Sequence, residues 1–75
     1  MKELVEYMAK SLVNNPDQVE LFEVNATRSV IYELRVAQED MGRVIGKQGR
    51  VANAMRSLLR VAAAKRGRRA ILEIV

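Results

Sequence analysis

The chain has 75 residues, 49% of them apolar and 29% charged, with no cysteine, no histidine and one proline. That length allows one small domain, expected over residues 1–75, which buries only roughly 60–65% of its unfolded surface. The composition excludes disulfide staples, a thiolate nucleophile and the usual zinc-ligand sets, and it is globular rather than disordered. The net charge of +4 hides an asymmetry: residues 1–40 carry four basic against eight acidic side chains, and residues 41–75 carry nine against one. A positive potential so concentrated attracts polyanions, nucleic acid before anionic membrane.

Leu4, Val5, Met8, Ala9, Leu12 and Val13 recur at the spacing of one buried helical stripe, predicting a helix from Lys2 to Val13. Asn14-Asn15-Pro16-Asp17 ends it, because the residue before proline avoids helical geometry and asparagine favours turns. A first strand follows over Val19 to Val24, with no clean alternation to say which face is buried. Asn25 to Ser29 reads as a hairpin loop, and Val30, Tyr32, Leu34 and Val36 alternate with Glu33 and Arg35 as a second strand. Glu39 and Asp40 place negative charge at the start of a short helix through Met41 and Val44, where the helix dipole favours it. Gly46 ends that helix. A longer one runs from about Gly49 to Lys65, with Val51, Ala54, Met55, Leu58, Leu59, Val61 and Ala62 on one arc and Arg50, Asn53, Arg56, Ser57 and Arg60 on the other. Gly67 suits the left-handed position after this helix, the helix dipole suffices for Arg66, Arg68 and Arg69 around the turn, with nucleic-acid contact left open for them as for Arg56 and Arg60, and Ala70 to Val75 closes as a third strand. The order is α-β-β-α-α-β.

The informative run is Val44-Ile45-Gly46-Lys47-Gln48-Gly49-Arg50-Val51. Two glycines bracket two polar residues between two helices, so backbone can approach a ligand without Cβ atoms in the way. Opening amides of the following helix lack intrahelical acceptors and carry its positive dipole end, which suits an anion. Lys47 adds a mobile charge at the loop tip, Arg43 and Arg50 flank it, and Val44 and Ile45 could floor a groove beside a phosphate clamp. Gln48 could donate to a phosphate or a base.

The run VIGKQGRVANAMRSLL at Val44 to Leu59, with EDMG at Glu39 to Gly42 and the basic turn before the last strand, resembles the KH domain in its bacterial type II order. The likeness extends over the whole chain and is nearest to the KhpA-type small bacterial RNA-binding proteins. It implies an α+β fold, a three-stranded mixed sheet with helices packed on one face. It implies that Gly46, Lys47, Gln48 and Gly49 clamp the backbone of single-stranded RNA, about four nucleotides in such domains, with Arg50, Ile45, Val44 and Arg43 beside them. It also implies homodimers, pairing with a second KH protein of the KhpB type, and work in RNA regulation or as an RNA chaperone. One departure is Ala52, which stands where many KH domains place a branched aliphatic residue.

Two other readings stay open. A helix-turn-helix also joins two helices by a short turn and would prefer duplex DNA; a dimerisation module would have little affinity for nucleic acid. Tyr7, Phe22 and Tyr32 are the only aromatics, too few for a base-stacking platform. An enzyme is not expected, since the carboxylates are scattered and no histidine or cysteine accompanies them. No cofactor is expected. The N-terminal stretch is broken by Lys2, Glu3, Glu6 and Lys10, so the expectation is a cytoplasmic protein away from membranes.

Overall fold

A computed structural model describes residues 1–75. Three helices and three strands follow the expected order: α1 (Lys2–Leu12), β1 (Glu20–Asn25), β2 (Ser29–Arg35), α2 (Met41–Ile45), α3 (Arg50–Ala64) and β3 (Arg69–Ile74). Short 3-10 turns at Pro16–Gln18, Gln38–Asp40 and Lys47–Gly49 join them. The sequence bounds shift by one residue at most ends: Val13 has extended backbone and terminates α1, β1 lies one position later at both start and finish, and β2 and β3 lie one position earlier. No helix is long and apolar enough to cross a membrane.

The sheet order is β1-β2-β3, antiparallel between β1 and β2 and parallel between β2 and β3. The parallel pair needs a crossover, and α2 with α3 supplies it. Alternation in β2 turns Val30, Tyr32 and Leu34 into a core shared with Val5 and Ala9 of α1, Val44 of α2, Met55 and Leu59 of α3, and Leu72 of β3. All the helices therefore cover one face of the sheet. On the opposite face Val24, Ile31 and Ile71 stand in register across the three strands, with Val24 and Ile71 exposed. That resolves β1: Leu21 faces the helices while Phe22 faces outward.

In α3 the buried stripe is rotated from the one read in the sequence. Ala52, Met55, Leu59 and Ala63 are buried, whereas Leu58 and Val61 are exposed. The sequence offers a wider apolar arc than one sheet and two helices can cover, and packing selects the side that meets β2 and β3. Ala52 is therefore a core position here.

Asp40 is the only buried charged residue, with no exposed surface. Its expected part at the helix start takes a different form: although it occupies the cap position of α2, its side chain makes no cap hydrogen bond. Its carboxylate turns toward the turn after α1 instead. Asn14 N–H donates to Oδ1 at 3.1 Å, and Asn15 donates to Oδ2 from both its backbone N–H and its Nδ2 at 3.0 Å. Arg43 Nε lies 4.0 Å from Oδ1. Burial pushes this carboxyl upward, but the donors from Asn14 and Asn15 and the Arg43 charge outweigh it and hold the group below its ordinary value. One side chain thereby ties the end of α1 to the start of α2.

Candidate nucleic-acid interface

The loop between α2 and α3 is a sharp double bend. Gly46 sits at φ 76°, ψ 172°, in a region that is essentially reserved for glycine, and Gly49 is left-handed at φ 75°, ψ 13°. Between them Gln48 is the only non-glycine residue at positive φ, at 58°. Backbone hydrogen bonds brace the bend: Gly46 N–H donates to Gly42 O at 2.8 Å and Gly49 N–H to Gly46 O at 3.1 Å.

The glycines serve different purposes. A Cβ on Gly46 would collide with the Val51 side chain and lie 2.8 Å from the Val51 backbone nitrogen, so Gly46 lets the loop fold down onto α3. A Cβ on Gly49 would meet nothing nearer than Asn53 Nδ2 at 3.8 Å, so that position needs glycine for its dihedral alone.

Of the residues singled out in the sequence, Lys47, Gln48, Arg50 and Arg43 are exposed, and Gly46 and Gly49 are partly exposed between them. Ile45 is 37% exposed and borders the loop, while Val44 is fully buried and can support the site only from beneath. Gly49 caps α3 without a side-chain acceptor, leaving the helix-opening end facing the loop. Arg43 is drawn away toward Asp40, and the Asn14 amide faces it in the orientation that puts Oδ1 3.1 Å from Nη2 and 3.2 Å from Nε. It is a held cation rather than a mobile one.

Two arrangements depend on partners that the sequence alone does not show. Asn53 and Arg56 follow Gly49 along α3 at helical spacing, and Arg56 reaches the edge of β3. Arg56 Nη1 donates to Asn53 Oδ1 at 3.3 Å, and its Nε donates to Leu72 O at 3.3 Å. The helix wheel showed these residues as polar; it could not show that an open sheet edge lies opposite. Arg68 is the other case. Its Nη2 donates to Asn25 Oδ1 at 3.0 Å, Ala26 O at 3.0 Å and Ser29 O at 2.9 Å, so it pins the hairpin loop rather than merely answering a helix dipole.

The structure thus presents an exposed cationic loop, pressed onto the start of a helix, with an arginine-lined basin farther along between α3 and β3. A family model described as KhpA/KhpB, KH domain, matches residues 2–74. The RNA-binding protein KhpA of Clostridium acetobutylicum is 53% identical over 75 residues, covering 100% of both chains. Its namesake in Caldanaerobacter subterraneus subsp. tengcongensis is 56% identical over the same span, again with 100% of both covered. The RNA-binding protein KhpA of Aquifex aeolicus is 45% identical over 75 residues, 100% of this chain and 95% of the relative. No solved structure matches significantly. A loop of this build, in this strand and helix order, and a family match over nearly the whole length agree: the chain belongs to the KhpA/KhpB family of KH domains.

Proposed function

We propose that the protein binds single-stranded RNA by clamping its sugar-phosphate backbone on the Gly46-Lys47-Gln48-Gly49 loop, as one KH domain that acts as a dimer in RNA regulation or as an RNA chaperone. The observation that carries this is the loop's conformation. Three positive-φ residues, at Gly46, Gln48 and Gly49, hold Lys47 and Gln48 outward at the opening of α3. Backbone strain of this kind persists where surrounding structure enforces it, and it gathers at ligand sites. Arg50 and Ile45 flank the clamp and Arg43 stands behind it, Val44 supports it, and bases lie against Asn53 and Arg56. The naming of the relatives as RNA-binding proteins supports the same reading.

Single strands fit better than duplex. Helix α2 has five residues, about 7 Å of axis, and is too short to brace a recognition helix in a major groove. Helix α3 is meanwhile committed to the core through Ala52, Met55, Leu59 and Ala63.

The dimer reading rests on α1 and α3. Tyr7 is 72% exposed and Leu58 55% exposed. With Met8, Leu12, Val51 and Ala54 they line an open apolar groove of about 290 Å³. Such a surface suits a second copy of the chain, or a KhpB-type KH protein carrying the same face.

Replacing Lys47 and Gln48 together by aspartate tests the clamp. Both side chains are exposed, and aspartate tolerates the left-handed backbone at position 48. The thermal melt should therefore move by no more than a few degrees, while affinity for single-stranded RNA falls at least tenfold from charge repulsion at the clamp. A folded double variant that binds like the parent refutes the reading.

A further inference from the structure

Between the second half of α3 and the start of β3 lies a basin of about 460 Å³ lined by Arg56, Arg60, Arg68 and Arg69 and floored by Ala70 and Leu72. No carboxylate lines it. Asn53, Arg56, Arg60 and Ala64 follow one another at the three- and four-residue spacing that places side chains on one helical stripe. The stripe starts beside Gly49, whose Cβ position is 3.8 Å from Asn53 Nδ2. Ten residues of helix separate Arg60 from Arg50, about 15 Å of axis, so the far basin lies beyond the reach of the loop.

The two outer arginines differ from the two inner ones. Arg56 is engaged with Leu72 O and Asn53, and Arg68 is tied to the hairpin loop by three acceptors. Arg60 and Arg69 are exposed, and their side chains make no hydrogen bond or ion pair within the protein. Arg68, through its bonds to Asn25, Ala26 and Ser29, fixes the turn on which Arg69 stands. The basin therefore holds two unengaged cations on a braced frame, with nothing in the protein to neutralise them.

We propose that Arg60 and Arg69 form a second backbone-phosphate site, which extends the RNA footprint along the α3–β3 groove beyond the nucleotides held by the loop. This rests on the RNA-binding reading above. An acidic peptide adding a strand to the open edge of β3 is the competing occupant. In a parallel pairing where Arg69 N–H bonds Arg28 O and Val75 N–H bonds Leu34 O, the alternate residues Ala70, Leu72 and Ile74 point their backbone groups outward. The Leu72 carbonyl, at the middle of that row, is already occupied by Arg56. A new strand would have to share that carbonyl with Arg56, whereas a phosphate chain needs no bond from it, and the polar stripe that leads from Gly49 through Asn53 and Arg56 to Arg60 also favours RNA.

The test uses the full chain and a doubly substituted Arg60→Gln, Arg69→Gln form, each titrated by NMR with an oligouridylate tetranucleotide and decanucleotide. The parent should bind the decanucleotide more tightly than the tetranucleotide by more than the statistical gain from extra registers. The variant should lose on the order of tenfold on the decanucleotide, as for two exposed ion pairs, and its salt slope should be shallower by about 1.4, as for two single-strand phosphates. Tetranucleotide binding should be unchanged. If the variant binds the decanucleotide like the parent, with the same salt slope, the second site is refuted. If an oligoglutamate of equal charge displaces the decanucleotide from the basin as effectively as RNA does, the site belongs to acidic peptides and the proposal falls. Failure of the loop reading looks different: the parent then binds neither oligonucleotide, or the Lys47, Gln48 double aspartate variant binds the tetranucleotide undiminished.

Discussion

The two loop glycines offer a sharp test, because they look equivalent in the sequence and are not equivalent in the structure. At Gly46 alanine meets two penalties. Its φ of 76° with ψ of 172° is essentially closed to side chains, which costs roughly 1–3 kcal/mol, and its methyl would press into Val51, an overpacking that costs about 1–3 kcal/mol more. At Gly49 the methyl has room, with Asn53 Nδ2 at 3.8 Å, so only the left-handed dihedral is penalised, by roughly 1–2 kcal/mol. Part of that is offset by the smaller entropy of alanine in the unfolded chain, about 0.4–1 kcal/mol. For a domain of this size each kcal/mol moves Tm by about 4–8 °C. Gly46→Ala should therefore lose on the order of 10–30 °C or fail to fold, while Gly49→Ala should lose less than about 10 °C. The assay is a pair of melts followed by circular dichroism beside the parent. Equal shifts, or a larger loss at Gly49, would show that the Gly46 contact with Val51 does not set the loop.

Asp40→Asn removes a carboxylate that is held below its ordinary value. Such a group stabilises the fold fully above that value, near 3.8, and its contribution disappears as pH falls through the lower folded value. The Tm gap between parent and variant should be largest near neutrality and close as the buffer is taken below pH ~4; a gap independent of pH would refute the assignment. Arg68→Ala removes the side-chain donor to Asn25 Oδ1, Ala26 O and Ser29 O, of which Ser29 O keeps only the Ala26 N–H, and so loosens the hairpin loop. It should cost about 1–3 kcal/mol in chemical denaturation, and a variant as stable as the parent would show that the pinning is idle. Leu58→Glu puts a charge in the apolar groove of α1 and α3 at an exposed position, so if the proposed dimer uses this face, sedimentation should report a folded monomer for the variant and a dimer for the parent. A variant that stays dimeric places the contact elsewhere.

The fold was legible where one periodicity dominates. The strict alternation of Val30 to Val36 and the stripe of Leu4 to Val13 each specify an element and its buried face, and the glycine pair at Gly46 and Gly49 marks the loop. What was not legible depends on partners distant in sequence. Helix α3 carries apolar residues over a wide arc, so periodicity alone could not choose between Leu58 and Ala52 for the core; contact with the sheet does. Asp40 read as a helix-dipole charge because its true partners, Asn14 and Asn15, lie 26 and 25 residues away. Arg68 likewise bonds groups 39 to 43 residues off. Polar side chains were readable as charge, but the acceptors that hold some and leave others unengaged belong to the tertiary fold.

That division also explains the uneven charge of the chain. The acidic first half builds α1, β1 and β2, and its contribution to the site is made through backbone and amide donors at Asn14 and Asn15 that hold Asp40, the residue from which α2 departs. Helix α2 is only five residues long and has little stability of its own, so the position of Gly46 at its end depends on that anchor and on the burial of Val44. The basic second half then supplies the surface. Cations used for architecture, Arg43, Arg56 and Arg68, are engaged by carboxylate, amide or carbonyl oxygens. Lys47, Arg50, Arg60 and Arg69 carry no such partner, and these four trace a line from the loop along α3 to the start of β3. A polyanion approaching this protein meets unengaged charge along that line, while the engaged arginines beside it keep the line in place.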